Sequence, residues 1–171
     1  NKIILIDVKT GNKIDELYTQ PSKTVSKFES NLAIDNKNNL LFLSTSGSLY
    51  SINFINNKKI NWIQNFKSES EIVFDGKPII VSDNEILIST GDNISLLSSN
   101  GARIWDLKIK SSISPIISGN TILTVNNDNY LVLIDKETGQ ILFTKNINFM
   151  IAKNFKKNIQ KKIKQINYIF L

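Results

Sequence analysis

Ile122-Leu-Thr-Val-Asn-Asn-Asp-Asn-Tyr-Leu-Val-Leu-Ile134, continued without a break by Asp135-Lys-Glu-Thr138-Gly139-Gln-Ile-Leu-Phe143, is an apolar run, a polar turn, a second apolar run, a second turn and a third apolar run. β-Branched and aromatic residues fill the runs, and Asn, Asp and Gly fill the turns. That is the grammar of consecutive β-hairpins.

The same grammar recurs upstream. Leu40-Leu-Phe-Leu-Ser-Thr-Ser-Gly-Ser-Leu-Tyr-Ser-Ile52 and Ile86-Leu-Ile-Ser-Thr-Gly-Asp-Asn-Ile-Ser-Leu-Leu97 align with Ile122–Ile134. Their turns hold Gly47, Gly91 and the run Asn126-Asn127-Asp128, residue types that tolerate positive φ. Each hairpin leads into another turn and strand: Asn56-Asn57 to Trp62, Asn100-Gly101 to Trp105, and Thr138-Gly139 to Phe143. Ile6-Asp7-Val-Lys-Thr10-Gly11-Asn-Lys-Ile14 is the same unit truncated. A preceding strand also recurs, as Pro78-Ile-Ile-Val-Ser and Pro115-Ile-Ile-Ser-Gly. The step is 45 residues from Ile52 to Leu97 and 37 from Leu97 to Ile134.

A four-strand unit at this period marks a β-propeller blade. One blade cannot bury both of its faces, so neighbours supply the cover. The expected fold is therefore all-β: a partial β-propeller of about three to four four-stranded blades, in units of about 1–31, 32–75, 76–112 and 113–148, followed by a basic segment, 149–171. Trp62, Trp105 and Phe143 are expected to fill the gaps between blades, where a large flat side chain fits; ordinary core packing gives nearly the same expectation.

The turn and strand of each unit resemble the PQQ-like (quinoprotein-type) repeat, in which a Leu-Asp-x-x-Thr-Gly turn leads into a strand ending in a docking Trp. Asp135, Thr138, Gly139 and Phe143 match best. Asp7, Thr10 and Gly11 match the turn, with Asp15 where the aromatic would stand. In the middle units Trp62 and Trp105 remain while the turns are reduced to Asn56-Asn57 and Asn100-Gly101. Arg103-Ile104-Trp105-Asp106 has the ending of a WD repeat. That family also expects a Gly-His pair in each blade, and this chain has no His.

The resemblance implies one of two functions. Quinoprotein dehydrogenases hold PQQ and Ca²⁺, many with an adjacent Cys pair at the quinone. The other branch, resembling BamB, is a non-catalytic scaffold of outer-membrane protein assembly, and it implies a periplasmic location at the inner face of the outer membrane. With neither Cys nor His in the chain, the expectation is the scaffold branch: no cofactor, no metal, no catalytic residue, and protein partners met at loops or blade edges. Asp83-Asn84-Glu85 and Asp128-Asn129 offer oxygens, but such groups at hairpins are turn formers.

Composition narrows the chemistry further. Without His or Cys there is no disulfide, no thiolate metal site and no Ser-His triad. No Gly-rich phosphate loop is present, and no apolar run approaches the roughly 20 residues that span a bilayer. The chain begins at Asn1 rather than Met, which reads as a fragment or a processed chain whose remaining blades are missing or supplied by association.

The net charge of +6 is not spread evenly. Residues 1–148 carry 15 basic and 15 acidic residues, and residues 149–171 carry six Lys and no acid. The neutral body argues against nucleic-acid binding, which needs clustered cations. In the tail, Ile151, Phe155, Ile159 and Ile163 recur every four residues, and on a helix they would span an arc of about 120°. Lys153, Lys156, Lys157, Lys161 and Lys164 fall mostly opposite. The tail is either a basic amphipathic helix able to meet an anionic membrane surface, or the connection into another blade with alternating Ile166, Tyr168 and Phe170 as its first strand.

Overall fold

Successive side chains on an extended strand point to opposite faces of the sheet. Here both faces carry apolar groups, so each sheet needs a cover on two sides. A computed structural model of the protein describes residues 2–18, 25–28, 32–54, 59–66, 73–149 and 151. The strands are β1 (Lys2–Ile6), β2 (Lys13–Tyr18), β3 (Val25–Phe28), β4 (Leu32–Ile34), β5 (Leu40–Leu43), β6 (Ser48–Asn53), β7 (Lys59–Asn65) and β8 (Val73–Gly76). They continue with β9 (Ile80–Ser82), β10 (Glu85–Ser89), β11 (Ile94–Ser98), β12 (Arg103–Leu107), β13 (Ile116–Ser118), β14 (Thr121–Val125), β15 (Tyr130–Asp135) and β16 (Ile141–Asn146).

Among the described residues three antiparallel four-stranded sheets run in chain order, β4-β5-β6-β7, β9-β10-β11-β12 and β13-β14-β15-β16, and β1 and β2 form a two-stranded sheet. The recurring Pro-Ile-Ile segments thus lead into the first strands, β9 and β13. One pairing has no hairpin signal in the sequence: β3 and β8 are parallel, Val25 opposite Val73 and Phe28 opposite Gly76.

The chain divides into two compact units, Asn1–Ser114 and Pro115–Leu171. In the first, the β4–β7 sheet shows why its apolar residues alternate. Leu41, Leu43 and Leu49, with Ala33 and Trp62, turn one way and pack with Ile79, Val81, Ile86, Ile88 and Leu97 around fully buried Phe74. Phe42, Tyr50 and Ile52 turn the other way and pack on Ile3 and Leu17 of β1 and β2. Phe42 and Tyr50 stack as a cross-strand pair, ring centroids 6.0 Å apart. Burying each such side chain is worth about 1.5–3 kcal/mol. The sheet is therefore held on both faces.

In the second unit, Ile122, Thr124, Val132 and Ile134 share the buried face of the β13–β16 sheet. On the opposite face Ile116 pairs Leu123, Leu123 pairs Leu133 and Leu133 pairs Phe143, with Phe143 46% exposed.

The last hairpin of every unit carries the same irregularity. The register slips by one residue between Leu5 and Ile6, Ser51 and Ile52, Leu96 and Leu97, and Leu133 and Ile134. The extra residues opposite are Ile14, Asn61, Ile104 and Leu142. Each β-bulge sits one residue before the position of Asp15, Trp62, Trp105 or Phe143, where it twists the strand and re-aims the next side chain.

Positive φ in the central turns falls at Gly47 and Asn129, and Gly91 is not among such residues. Residues 147–149 and 151 are helical, and Asn146 Oδ1 accepts the Phe149 N–H at 3.3 Å, as an N-cap residue does. Among the described residues no helix is long and apolar enough to cross a membrane. Lys153, Lys156, Lys157, Lys161 and Lys164 lie outside the described residues.

Candidate functional site

The turns marked in the sequence are built by their own side chains. Asp7 Oδ1 accepts the N–H groups of Lys9 and Thr10 at 2.9 and 2.7 Å and the Thr10 hydroxyl at 3.0 Å. Asp135 Oδ1 accepts the Thr138 N–H and hydroxyl, both at 2.8 Å. In each case the chain closes on a left-handed glycine, Gly11 at φ +70° and Gly139 at φ +71°, whose N–H returns to the Asp carbonyl. These bonds stabilise the ionised carboxylate. The Thr10 N–H, then its hydroxyl, then the Lys9 N–H hold Asp7 below the ordinary carboxylate range. The Thr138 N–H and hydroxyl do the same for Asp135.

The third unit makes a shorter version. Gly101, at φ +85°, donates to the Ser98 carbonyl, and Ser98 donates from its backbone to Ala102. Asn100 Oδ1 accepts from the Ser98 hydroxyl and from the Ala102 N–H. This turn receives Trp62 from the preceding sheet. The indole N–H donates to the Ser99 carbonyl at 3.2 Å, and the ring lies on Gly101 so closely that a Cβ there would be 2.5 Å from Cδ2. Two residues singled out separately in the sequence, Trp62 and Gly101, therefore meet.

A second tie joins the same two sheets. The Arg103 guanidinium donates to the Asn65 carbonyl at 2.6 Å, stands 4.8 Å from the Phe66 ring centroid, and pairs with Asp106 at 2.9 Å. Asp106 also accepts from the Ser95 hydroxyl. The Asp that imitates a WD repeat is thus the partner of Arg103. Beside the turn that receives Trp62, where the Asn84 carbonyl accepts the Ser99 N–H at 2.7 Å, Asn36 donates from its amide to the Asp83 carbonyl, and Asp83 itself adopts φ +53°.

Beside the Trp62 dock lies a polar cleft of about 480 Å³, lined by Lys37, Asn39, Asn53, Asn61, Ser99 and Asn100 around the edge of the indole. Behind it a chain of side-chain bonds fixes the wall. Buried Asp35 accepts the Lys37 and Asn39 N–H groups on Oδ1 and the Asn39 amide on Oδ2. Asn39 Oδ1 then accepts from Asn61 Nδ2 at 3.1 Å, and Asn61 Nδ2 also reaches Ser51 Oγ at 3.4 Å. Of the cleft residues only Trp62 and Asn100 were marked by the repeat pattern. The signal that points to the rest is an Asn at the bulge position of the second unit, where the other three have Ile14, Ile104 and Leu142.

Asp7, Thr10 and Gly11 sit in the β1–β2 turn and Asp135, Thr138 and Gly139 in the β15–β16 turn, each a self-contained structural loop. Trp105 is half-buried on β12, and Phe143 stands on the half-exposed face of β16. Among the described residues no group of three or more His, Cys, Asp or Glu is arranged to hold a metal ion.

Residues 67–145 match the family model described as outer membrane protein assembly factor BamB. No curated protein matches the sequence. Among solved structures, BamB from Moraxella catarrhalis is similar at 21% identity and a TM-score of 0.52, over 67% of this chain and 35% of that one. A computationally designed protein, Ika8, is similar at 17% identity and a TM-score of 0.63, over 82% of this chain and 42% of that one. A europium-containing methanol dehydrogenase is similar at 14% identity and a TM-score of 0.57, over 74% of this chain and 26% of that one. The chain spans less than half the length of each. At these identities the likeness is one of fold, and the fold is a partial β-propeller.

Proposed function

We propose that this chain, a partial β-propeller carrying PQQ-like repeats, is part of a non-enzymatic protein-interaction scaffold of the BamB-like kind, acting in outer-membrane protein assembly at the bacterial cell envelope. The observation that carries this reading is what the carboxylates do. Asp7, Asp35 and Asp135 accept two or three hydrogen bonds each from their own turns, and Asp106 is held by Arg103 and Ser95. Each of these carboxylates is used in holding its own turn or strand, the work of a structural group. The residues present do not fit PQQ and Ca²⁺: the chain has no Cys pair, and the described carboxylates form no cluster with calcium-loop spacing.

On this reading the four units, 1–31, 32–75, 76–112 and 113–148, present loops and strand edges to protein partners, by strand addition where an edge is open. The location is periplasmic, at the inner face of the outer membrane. Any membrane contact is made through the Lys-rich segment 149–171, and a liposome flotation that does not change on deleting 150–171 removes that contact. The second reading, part of a quinoprotein dehydrogenase, is favoured by the likeness to a methanol dehydrogenase. Incubation of the chain with PQQ and Ca²⁺ followed by gel filtration separates the two. The scaffold reading expects no quinone absorbance in the protein peak; retained quinone overturns it.

A further inference from the structure

We propose that the cleft beside Trp62 binds an extended peptide bearing a carboxylate; the proposal rests on the scaffold reading and names the partner chemistry for one of its surfaces. The volume, about 480 Å³, falls within the range of ligand-sized clefts, roughly 300–1,000 Å³. Its wall departs from the repeat at one place. The bulge residue is Ile14, Ile104 or Leu142 in the first, third and fourth units and Asn61 in the second.

That Asn is held rigidly. Both amide hydrogens of Asn61 point inward, to Asn39 Oδ1 and Ser51 Oγ, and Asn39 is itself anchored on buried Asp35. The Asn61 carbonyl oxygen is left to accept from an incoming donor. Asn100 Oδ1 is engaged within its turn, which leaves its amide nitrogen as a donor. The Lys37 ammonium meets no carboxylate among the described residues, and the Asp35 carboxylate behind the wall is buried and accepts three hydrogen bonds.

Among the described residues the cleft therefore presents a fixed acceptor, a fixed amide donor and the Lys37 cation, with no carboxylate in its lining. A peptide backbone offers an N–H to Asn61 and a C=O to Asn100, and an Asp, Glu or C-terminal carboxylate answers Lys37. A sugar or a base would want an aromatic platform. Trp62 is not offered as one, because Gly101 lies against a face of the ring, the ring packs on the apolar core and its N–H is bound to Ser99. Nucleic acid would want more than one cation.

The test is fluorescence anisotropy of a labelled octapeptide of alternating Ser and Asp titrated with the full chain. Saturable binding is expected. It should weaken at least tenfold in Lys37→Glu and at least fivefold in Asn61→Ile, which restores the residue type of the other bulges. A Ser/Lys octapeptide should not bind. The proposal is overturned by no binding to the parent chain, by equal affinity in both variants with an unchanged denaturation midpoint, or by a polyuronate that displaces the peptide with the same dependence on Lys37 and Asn61. Quinone retention would sink the scaffold reading whatever the peptide does. Capture of an envelope protein by both variants as well as the parent would keep the scaffold and remove this cleft from it.

Discussion

Trp62 of β7 lies against Gly101 in the turn between β11 and β12: a Cβ on Gly101 would stand 2.5 Å from Cδ2 and 2.9 Å from Cε2 and Cε3 of the indole. Gly101 also has φ +85°. Gly101→Ala thus meets two costs, a left-handed backbone for an L-residue and a ring that must move. Together these should lower stability by about 3 kcal/mol. Gly11→Ala is the control, since Gly11 has φ +70° with nothing within 4 Å of its Cβ position. It should cost only about 1 kcal/mol. Urea denaturation of the two variants measures the difference, and equal losses would mean the indole yields freely.

Removing the ring tests the same contact from its other side. Trp62→Phe keeps most of the packing but leaves the Ser99 carbonyl without the indole N–H, at an expected cost of about 1 kcal/mol. Trp62→Ala should cost about 3 kcal/mol through the lost packing. In a Trp62→Ala background, Gly101→Ala should fall to the cost of Gly11→Ala, a coupling of about 2 kcal/mol in a double-mutant cycle. A coupling near zero would place the clash elsewhere.

Arg103 ties β12 to the neighbouring sheet through the Asn65 carbonyl and the Phe66 ring, and within β12 it pairs with Asp106. The geometry uses the planar fork of the guanidinium, so a lysine cannot reproduce it. Arg103→Lys should lose about 1 kcal/mol, most of the effect of Arg103→Ala, through the lost carbonyl bond and cation–π contact. Asp106→Asn should cost no more than about 0.5 kcal/mol, because that ion pair is solvent-exposed. Denaturation midpoints rank the three, and a larger loss for Asp106→Asn than for Arg103→Lys would make the ion pair within β12, rather than the contacts to Asn65 and Phe66, the dominant contribution.

Much of this fold was legible because hairpins are local. Leu40–Ile52, Ile86–Leu97 and Ile122–Ile134 each contain both strands and the turn that fixes their register. The Asp135 and Thr138 turn was legible for the same reason, since its bonds span three residues. The β3–β8 pairing was not: its strands lie about 48 residues apart, and a parallel pair leaves no turn between them to read. The bulges were hidden too, because Asn61 and Ile104 look like ordinary strand residues until the register of both strands is known. The cleft depends on that slip at Asn61 and on Asn39, which comes from a different turn, so only the assembled sheet brings its wall together.

The Asp–Thr turns give the protein an acid-sensitive element whose direction follows from their bonds. The Asp135 carboxyl is held below its ordinary value of 3.8 by the Thr138 N–H and hydroxyl. A depressed folded pKa means the unfolded chain binds the proton more tightly, so the turn's contribution is present above the ordinary value and is lost as pH falls through the folded one. The carboxyl ¹³C shift of Asp135, followed by NMR, should titrate below the ordinary range. Thr138→Ala removes the hydroxyl and should move that midpoint up toward 3.8, with Asp7 unchanged as an internal reference. Exchange protection of the Gly139 amide, which donates to the Asp135 carbonyl at 2.9 Å, should fall over the same acid window in the parent and at higher pH in Thr138→Ala. Protection that is flat through this window would show that the turn is held by its backbone bonds and by Gly139 rather than by the carboxylate.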